Sequence, residues 1–208
     1  MSVVEKLPQD REQSYLEYGS TFVDRLRTHL VLRRVLGQVP KEGGLHVLDI
    51  GCGYNATFLK ALRPRLLQGV GIDSSVSEEC LADPLLRFSL GTIQSELPRQ
   101  PDNTFDLLLF ISVLEHLWEP CVWLGHCHRV LKENGILIVH VPTWYAKPVL
   151  ELSAFRFRTS PACEMDDHKM YYSKRDLWPM LIRAGFKPSR IRLSYTNCWM
   201  TLLGMATK

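Results

Sequence analysis

The sequence lacks any cysteine pair at metal-binding or redox spacing. Its six cysteines (Cys52, Cys80, Cys121, Cys127, Cys163 and Cys198) are scattered, with no CxxC among them. A disulfide framework is therefore not expected, and free thiols in a reducing compartment are the simplest account. Charge of one sign is also scarce. Lys plus Arg number 25 against 22 for Asp plus Glu, and the resulting +3 is too small for the concentrated basic face of a nucleic-acid binder. No apolar run approaches the roughly 20 residues of a membrane-spanning helix. The longest, Leu107 to Ile111 and Ile136 to Val139, suit buried strands. Met1 to Asp10 is charged and has no apolar signal-peptide core, so a soluble, cytoplasmic protein is expected. Internal repeats and low-complexity tracts are absent.

What remains is ordinary globular material. A chain of 208 residues with 46% hydrophobic and 23% charged content suits one domain, without need of a stabilising metal. Residues 11 to 36 predict one or two helices, with Tyr15, Tyr18, Phe22, Leu26 and Leu30 at helical intervals. Pro40 and Gly43-Gly44 end that segment. Strands are then expected at His46–Ile50, Gln68–Ile72, Leu86–Leu90, Phe105–Ile111 and Ile136–Val141. Helices are expected at Thr57–Leu62, Ser77–Leu81, Glu119–Leu131 and Ser173–Ala184, with a closing antiparallel pair at Arg190–Tyr195 and Trp199–Met205. Strands alternating with helices, several apolar on both faces, predict an α/β, doubly wound, mostly parallel sheet. From Pro142 to Asp167 the periodicity lapses, and so long an irregular stretch marks an elaboration on the fold.

The strongest local signal is Val47-Leu48-Asp49-Ile50-Gly51-Cys52-Gly53. Glycines leaving a buried strand let the chain turn tightly and approach a ligand. With Ala56 the spacing also fits the relaxed dinucleotide pattern, weak on its own. Asp49 decides between ligands. A carboxylate there opposes a pyrophosphate but suits an amino group or a cationic centre, and S-adenosylmethionine carries both. Asp73 ends the second strand, twenty residues beyond Gly53, the offset at which an acidic side chain receives ribose hydroxyls. It could instead cap the short helix that follows.

The chain resembles the class I S-adenosylmethionine-dependent methyltransferases of the type 11 kind. The resemblance rests on VLDIGCG at 47–53, GVGIDSS at 69–75 and NTFDLLLFISVLEHLWEP at 103–120. It continues through RVLKENGILIVHVP at 129–142 and HKMYYSKRDLWPMLIRAGF at 168–186. It implies a seven-stranded sheet with an antiparallel last strand, a single domain over 1–208, a helical lid at 1–40 and an insert at 143–168 over the active site. It also implies S-adenosylmethionine as cofactor. The Gly51, Cys52 and Gly53 turn would lie beneath its methionine part, with Asp73 and Ser74 at the ribose. Thr92 and Ile93 would lie near the adenine, and Phe110, Ile111 and Ser112 would border the substrate side. The Asp that such proteins carry after strand three is missing, and Gly91-Thr92-Ile93-Gln94 stands in its place.

His116, after strand four, is the candidate general base, since its ordinary pKa suits the role; the alternative is that Glu115 and His116 merely brace the local turn. Tyr15, Tyr18, Trp144 and His168 are candidate acceptor contacts, and Arg156 and Arg158 offer charge to an anionic acceptor. His126 and His128 stand two apart on a predicted helix, so no metal is expected there. Neither Asn-Pro-Pro-Tyr nor Asp-Pro-Pro-Tyr follows strand four, and no Pro-Cys nucleophile is present. With the weak charge, this argues against DNA and for a small-molecule, sugar or lipid-linked acceptor. Two other readings remain at this stage: a non-catalytic binding module on the same fold, and a nicotinamide-dependent oxidoreductase.

Overall fold

A computed structural model of the chain describes residues 22–39, 41, 43–148 and 169–208. The backbone divides into two compact units, Met1–Val39 and Pro40–Lys208. Of the first, the described part is a helix, α1 (Phe22–Leu36). The remainder of the expected 1–40 lid, with Tyr15 and Tyr18, lies outside the described residues, as does most of the 143–168 stretch.

The second unit is an α/β sheet of seven strands. In chain order its elements are β1 (Leu45–Ile50), α2 (Thr57–Leu62), β2 (Leu66–Asp73), α3 (Glu78–Leu81), β3 (Leu86–Leu90) and α4 (Ile93–Glu96). There follow β4 (Phe105–Ile111), α5 (Pro120–Val130), β5 (Leu131–Pro142), α6 (Lys174–Arg183), β6 (Ile191–Thr196) and β7 (Thr201–Thr207). The sheet order is β3-β2-β1-β4-β5-β7-β6. The first five strands are parallel to one another, and β7 runs antiparallel to both β5 and β6. The strand order reverses beside β1, which opens a crevice at the carboxyl ends of β1 and β4.

Side chains alternate across the strands, so each register assigns its residues to a face. Leu48, Ile50, Leu108, Phe110, Leu137 and Val139 share one face and pack with Leu124 and Cys127 of α5 and Leu177 and Leu181 of α6. The other face carries Asp49, Leu109, Ile111, Ile138 and His140. There a side chain at Gly69 would stand 3.2 Å from Leu59 of α2. Helices thus cover both faces, which is why the central strands are apolar throughout.

The start of β5 and the helix α4 depart furthest from the sequence expectation, and β7 runs two residues later than expected. Helix α5 stops at Val130 and the chain enters β5 at once, where the sequence places a turn at Asn134-Gly135. Leu131 is fully buried and pairs with Phe105, and Lys132 meets the Asp106 carboxylate at 2.8 Å, so the strand begins before the turn residues. Asn134 then takes φ 62°, and the pairing slips between Phe105 and Leu107. Helix α4, absent from the sequence reading, is one turn capped by Thr92, whose hydroxyl accepts from Ser95 N.

Candidate functional site

The site begins where β1 ends. The Ile72 carbonyl accepts from both Gly51 N at 2.8 Å and Cys52 N at 3.2 Å, so β2 holds the loop as it leaves the sheet. Gly51 and Gly53 both take φ +72°, a left-handed conformation that side chains strain to adopt. A side chain at Gly51 would collide with Val113 on the segment after β4, whereas one at Gly53 meets nothing within 4 Å. One glycine therefore admits a neighbouring segment, and the other faces open space. Cys52 is buried against Gly71, where a side chain would stand 2.7 Å from its sulfur. Burial, reinforced by the Asp49 and Asp73 charges, pushes the Cys52 thiol pKa well up, so it stays a neutral packing group.

The two carboxylates converge on this loop. Asp73 Oδ2 accepts from Gly53 N at 2.8 Å, and Oδ1 accepts from Ser74 N at 2.8 Å and Ser74 Oγ at 3.3 Å. Asp49 is 1% exposed, and its Oδ2 has no hydrogen-bond partner among the described residues. Burial first, and the Asp73 charge second, raise its pKa to about 8. A buried carboxyl oxygen without a donor is costly, and it is relieved by a ligand that brings an ammonium or another cation. The residues present fit S-adenosylmethionine, whose cation would meet Asp49, whose hydroxyls would meet Asp73 and whose narrow chain would suit the open space beside Gly53.

The remaining candidates separate into those the fold gathers and those it does not. Phe110 is completely buried on the α5–α6 side of the sheet, so only its backbone can border the crevice. Ile111 lies on the Asp49 face and Ser112 is exposed with φ 55°, its N–H donating to the His140 carbonyl at 2.8 Å. Thr92 is exposed, but its hydroxyl is engaged in capping α4, and Ile93 packs partly into the core.

His116 closes a single 3-10 turn, Leu114–His116, and is half-buried. That turn is firmly held. The Glu115 carbonyl accepts from Lys169 N at 2.7 Å, and the Tyr172 hydroxyl donates to Leu114 O at 3.1 Å. Burial, with Glu115 nearby, pushes the Tyr172 hydroxyl pKa up, so the phenol remains a donor. His126 stacks on Trp123 with ring centres 5.9 Å apart, and His128 sets its edge against Phe186 at 5.0 Å; burial lowers the pKa of both. His168 and the pair Arg156 and Arg158 lie outside the described residues.

Two groups at this end of the sheet escaped the sequence reading. Because Pro142 pairs with Thr201, the β6–β7 turn stands at the same edge as the glycine loop. In that turn Asn197, Cys198 and Trp199 all take positive φ, and Thr143 Oγ1 donates to Trp199 O at 2.6 Å. Trp199 stacks on Tyr195 at 5.1 Å, with Tyr145 edge-on to both, while Trp144 meets Tyr171 at 5.7 Å. The second group is His140, 4% exposed, the one ionisable side chain in Ile136–Val141. A polar residue inside so apolar a run is the signal by which the sequence could have shown it.

Residues 5–190 match a family model described as a methyltransferase domain. Among curated proteins, the chain is 35% identical over 105 residues to a ubiquinone biosynthesis O-methyltransferase of Bradyrhizobium diazoefficiens, covering 47% of this chain and 40% of that protein. It is 27% identical over 146 residues to a trans-aconitate 2-methyltransferase of Azoarcus sp., covering 68% and 54% respectively. The chain spans about two-fifths of the length of the first curated relatives it matches. A crystal structure of a SAM-dependent methyltransferase from Archaeoglobus fulgidus superposes with a TM-score of 0.66 at 16% identity, over 95% of this chain and 99% of that one. At that identity the likeness shows the fold.

Proposed function

The chain belongs to the methyltransferase domain family, whose cofactor is S-adenosylmethionine, and on that premise we propose that it methylates a small-molecule, sugar or lipid-linked acceptor. The observation that carries the proposal is the buried Asp49 carboxyl, with a donorless oxygen beside a glycine loop tied to Asp73. In this reading Asp49 faces the cationic amino acid part of the cofactor, Gly51 to Gly53 pass beneath it, and Asp73 with Ser74 holds the ribose. Thr92 and Ile93 border the adenine, and Phe110 to Ser112 line the acceptor side.

When bound, S-adenosylmethionine supplies a methyl group activated by the adjacent sulfonium. The protein's part is alignment and exclusion of water, which account for much of the acceleration in an in-line displacement. Buried Asp49 contributes a fixed negative end toward a cation in a poorly solvated place, where charge interactions are strong. Trp144 is half-exposed beside Tyr171 and offers an aromatic wall to the acceptor. The names of the two curated relatives, one an O-methyltransferase and one a trans-aconitate 2-methyltransferase, favour a small acceptor. His116 serves as proton acceptor in this scheme or braces its turn.

The test is calorimetry of the full chain with S-adenosylhomocysteine and, separately, NAD. Binding of the first alone supports the reading, and binding of NAD alone overturns it. Transfer of label from methyl-labelled S-adenosylmethionine to a panel of phenols, carboxylic acids and lipid-linked sugars then separates an enzyme from a binding module.

A further inference from the structure

We propose, resting on the methyltransferase reading above, that His140 is the group that takes the acceptor's proton. Three observations carry this. First, His140 is 4% exposed near the carboxyl end of β5, within the otherwise apolar run Ile136–Val141.

Second, the register places it on the sheet face of the buried carboxyl. Asp49 pairs with Leu109, and Leu109 with Ile138, so His140 stands two strands across and two residues nearer the carboxyl edge. Two strand spacings and two residue rises put its Cα about 12 Å from that of Asp49. That interval suits the amino acid part of the cofactor followed by one acceptor atom. Third, its neighbours across the pleat are Ile111 on β4 and Leu203 on β7, both buried. The ring therefore works in a dry setting, and the bond from Ser112 N fixes its backbone.

Among the described residues, the charged groups of the sheet on that face are few. On the same face the described strands carry Asp49, Asp73 and, on the far strand β6, Arg192; Glu115 and His116 stand on the turn after β4. In the step itself, a lone pair of the acceptor oxygen or nitrogen forms the bond to the methyl carbon while the carbon–sulfur pair returns to sulfur. The acceptor proton passes to an imidazole nitrogen of His140, which later releases it to water. Atoms and charge balance with no further reagent.

The test needs no acceptor. Histidine side chains of the full-length protein, labelled with carbon-13, are titrated by NMR with S-adenosylhomocysteine bound and again with S-adenosylmethionine bound. His140→Gln assigns the resonance; if that variant does not fold, correlation from the backbone assigns it in the wild type. His46, at the opposite end of β1, is the internal reference. With the neutral thioether bound, a proton acceptor at His140 has to gain and lose its proton in the working range, about pH 5 to 8. With the sulfonium bound, its midpoint should fall by about one unit, because a cation nearby disfavours the imidazolium. The proposal is overturned if both ligands bind and the His140 midpoint does not change. It is equally overturned if the ring never titrates, or if His116 alone responds. Failure of either ligand to bind would overturn the methyltransferase reading itself, and His140's role with it.

Discussion

The backbone N–H of Gly53 donates to Oδ2 of Asp73 at 2.8 Å. This bond joins the loop after β1 to the tip of β2, so the two motifs read twenty residues apart in the sequence form one surface. The other oxygen is held by Ser74, which fixes the carboxylate while leaving acceptor capacity unused. Asp73→Ala should therefore weaken S-adenosylhomocysteine binding by about 1.5–3 kcal/mol, roughly tenfold to a hundredfold, as read by calorimetry. Unchanged affinity in a folded variant would remove Asp73 from the site.

The two glycines of the loop should fail in different ways. Both have φ +72°, so either substitution strains the backbone, but only at Gly51 does the new carbon strike Val113. Gly51→Val should lower the melting temperature and abolish cofactor binding together. Gly53→Ala should cost about 1 kcal/mol of stability from its backbone conformation while placing a methyl group in the open space. Its affinity for S-adenosylhomocysteine should fall by more than its stability does. Equal melting temperatures for the two variants would contradict this division.

Asp49 makes stability depend on pH in a direction opposite to that of a salt-bridged carboxylate. Its pKa rises from 3.8 to about 8 through burial, so between those values the unfolded chain has lost a proton that the folded chain keeps. The folded state then binds more protons, and stability falls as pH rises from about 4 to about 8, by the order of a few kcal/mol. Asp49→Asn should flatten that slope in denaturant titrations of the ligand-free protein. S-adenosylmethionine, bringing a cation to Asp49, should release a proton on binding near pH 7. Calorimetry in buffers of different ionisation enthalpy measures that release. No proton release would mean that the cation lies elsewhere.

Tyr172 braces the turn carrying His116 through its bond to Leu114 O, and it is completely buried. Tyr172→Phe keeps the packing and removes that bond, so the expected loss is about 0.5–1.5 kcal/mol. Leu114 O retains Leu117 N as a second partner, which keeps the loss at that scale. A fall of a few degrees in melting temperature, with S-adenosylhomocysteine affinity unchanged, is the outcome that fits a brace. A large loss of cofactor affinity would place Tyr172 in the site instead.

The alternation of strand and helix was legible in the sequence because Leu107 to Ile111 and Ile136 to Val139 are apolar without the gaps that a solvent-facing strand requires. The glycine loop was legible for a related reason: few residues other than glycine tolerate φ +72° next to a buried strand, and the structure places Gly51 and Gly53 there. Helix α4 and the start of β5 were not legible. Helix α4 depends on one hydroxyl cap at Thr92, and β5 begins early because Leu131 is buried against Phe105, a partner distant in sequence. The same holds for the chemistry. That Asp49 is an acid was written in the chain; that burial and Asp73 keep it protonated near neutral pH was decided by tertiary packing, since a pKa responds to solvent loss and neighbouring charge. His140 was visible as a polar interruption in LIVHVP, but only the pairing of β1, β4 and β5 put it on the face of Asp49. A strand's face is set by register, and register is a property of neighbours rather than of the segment itself.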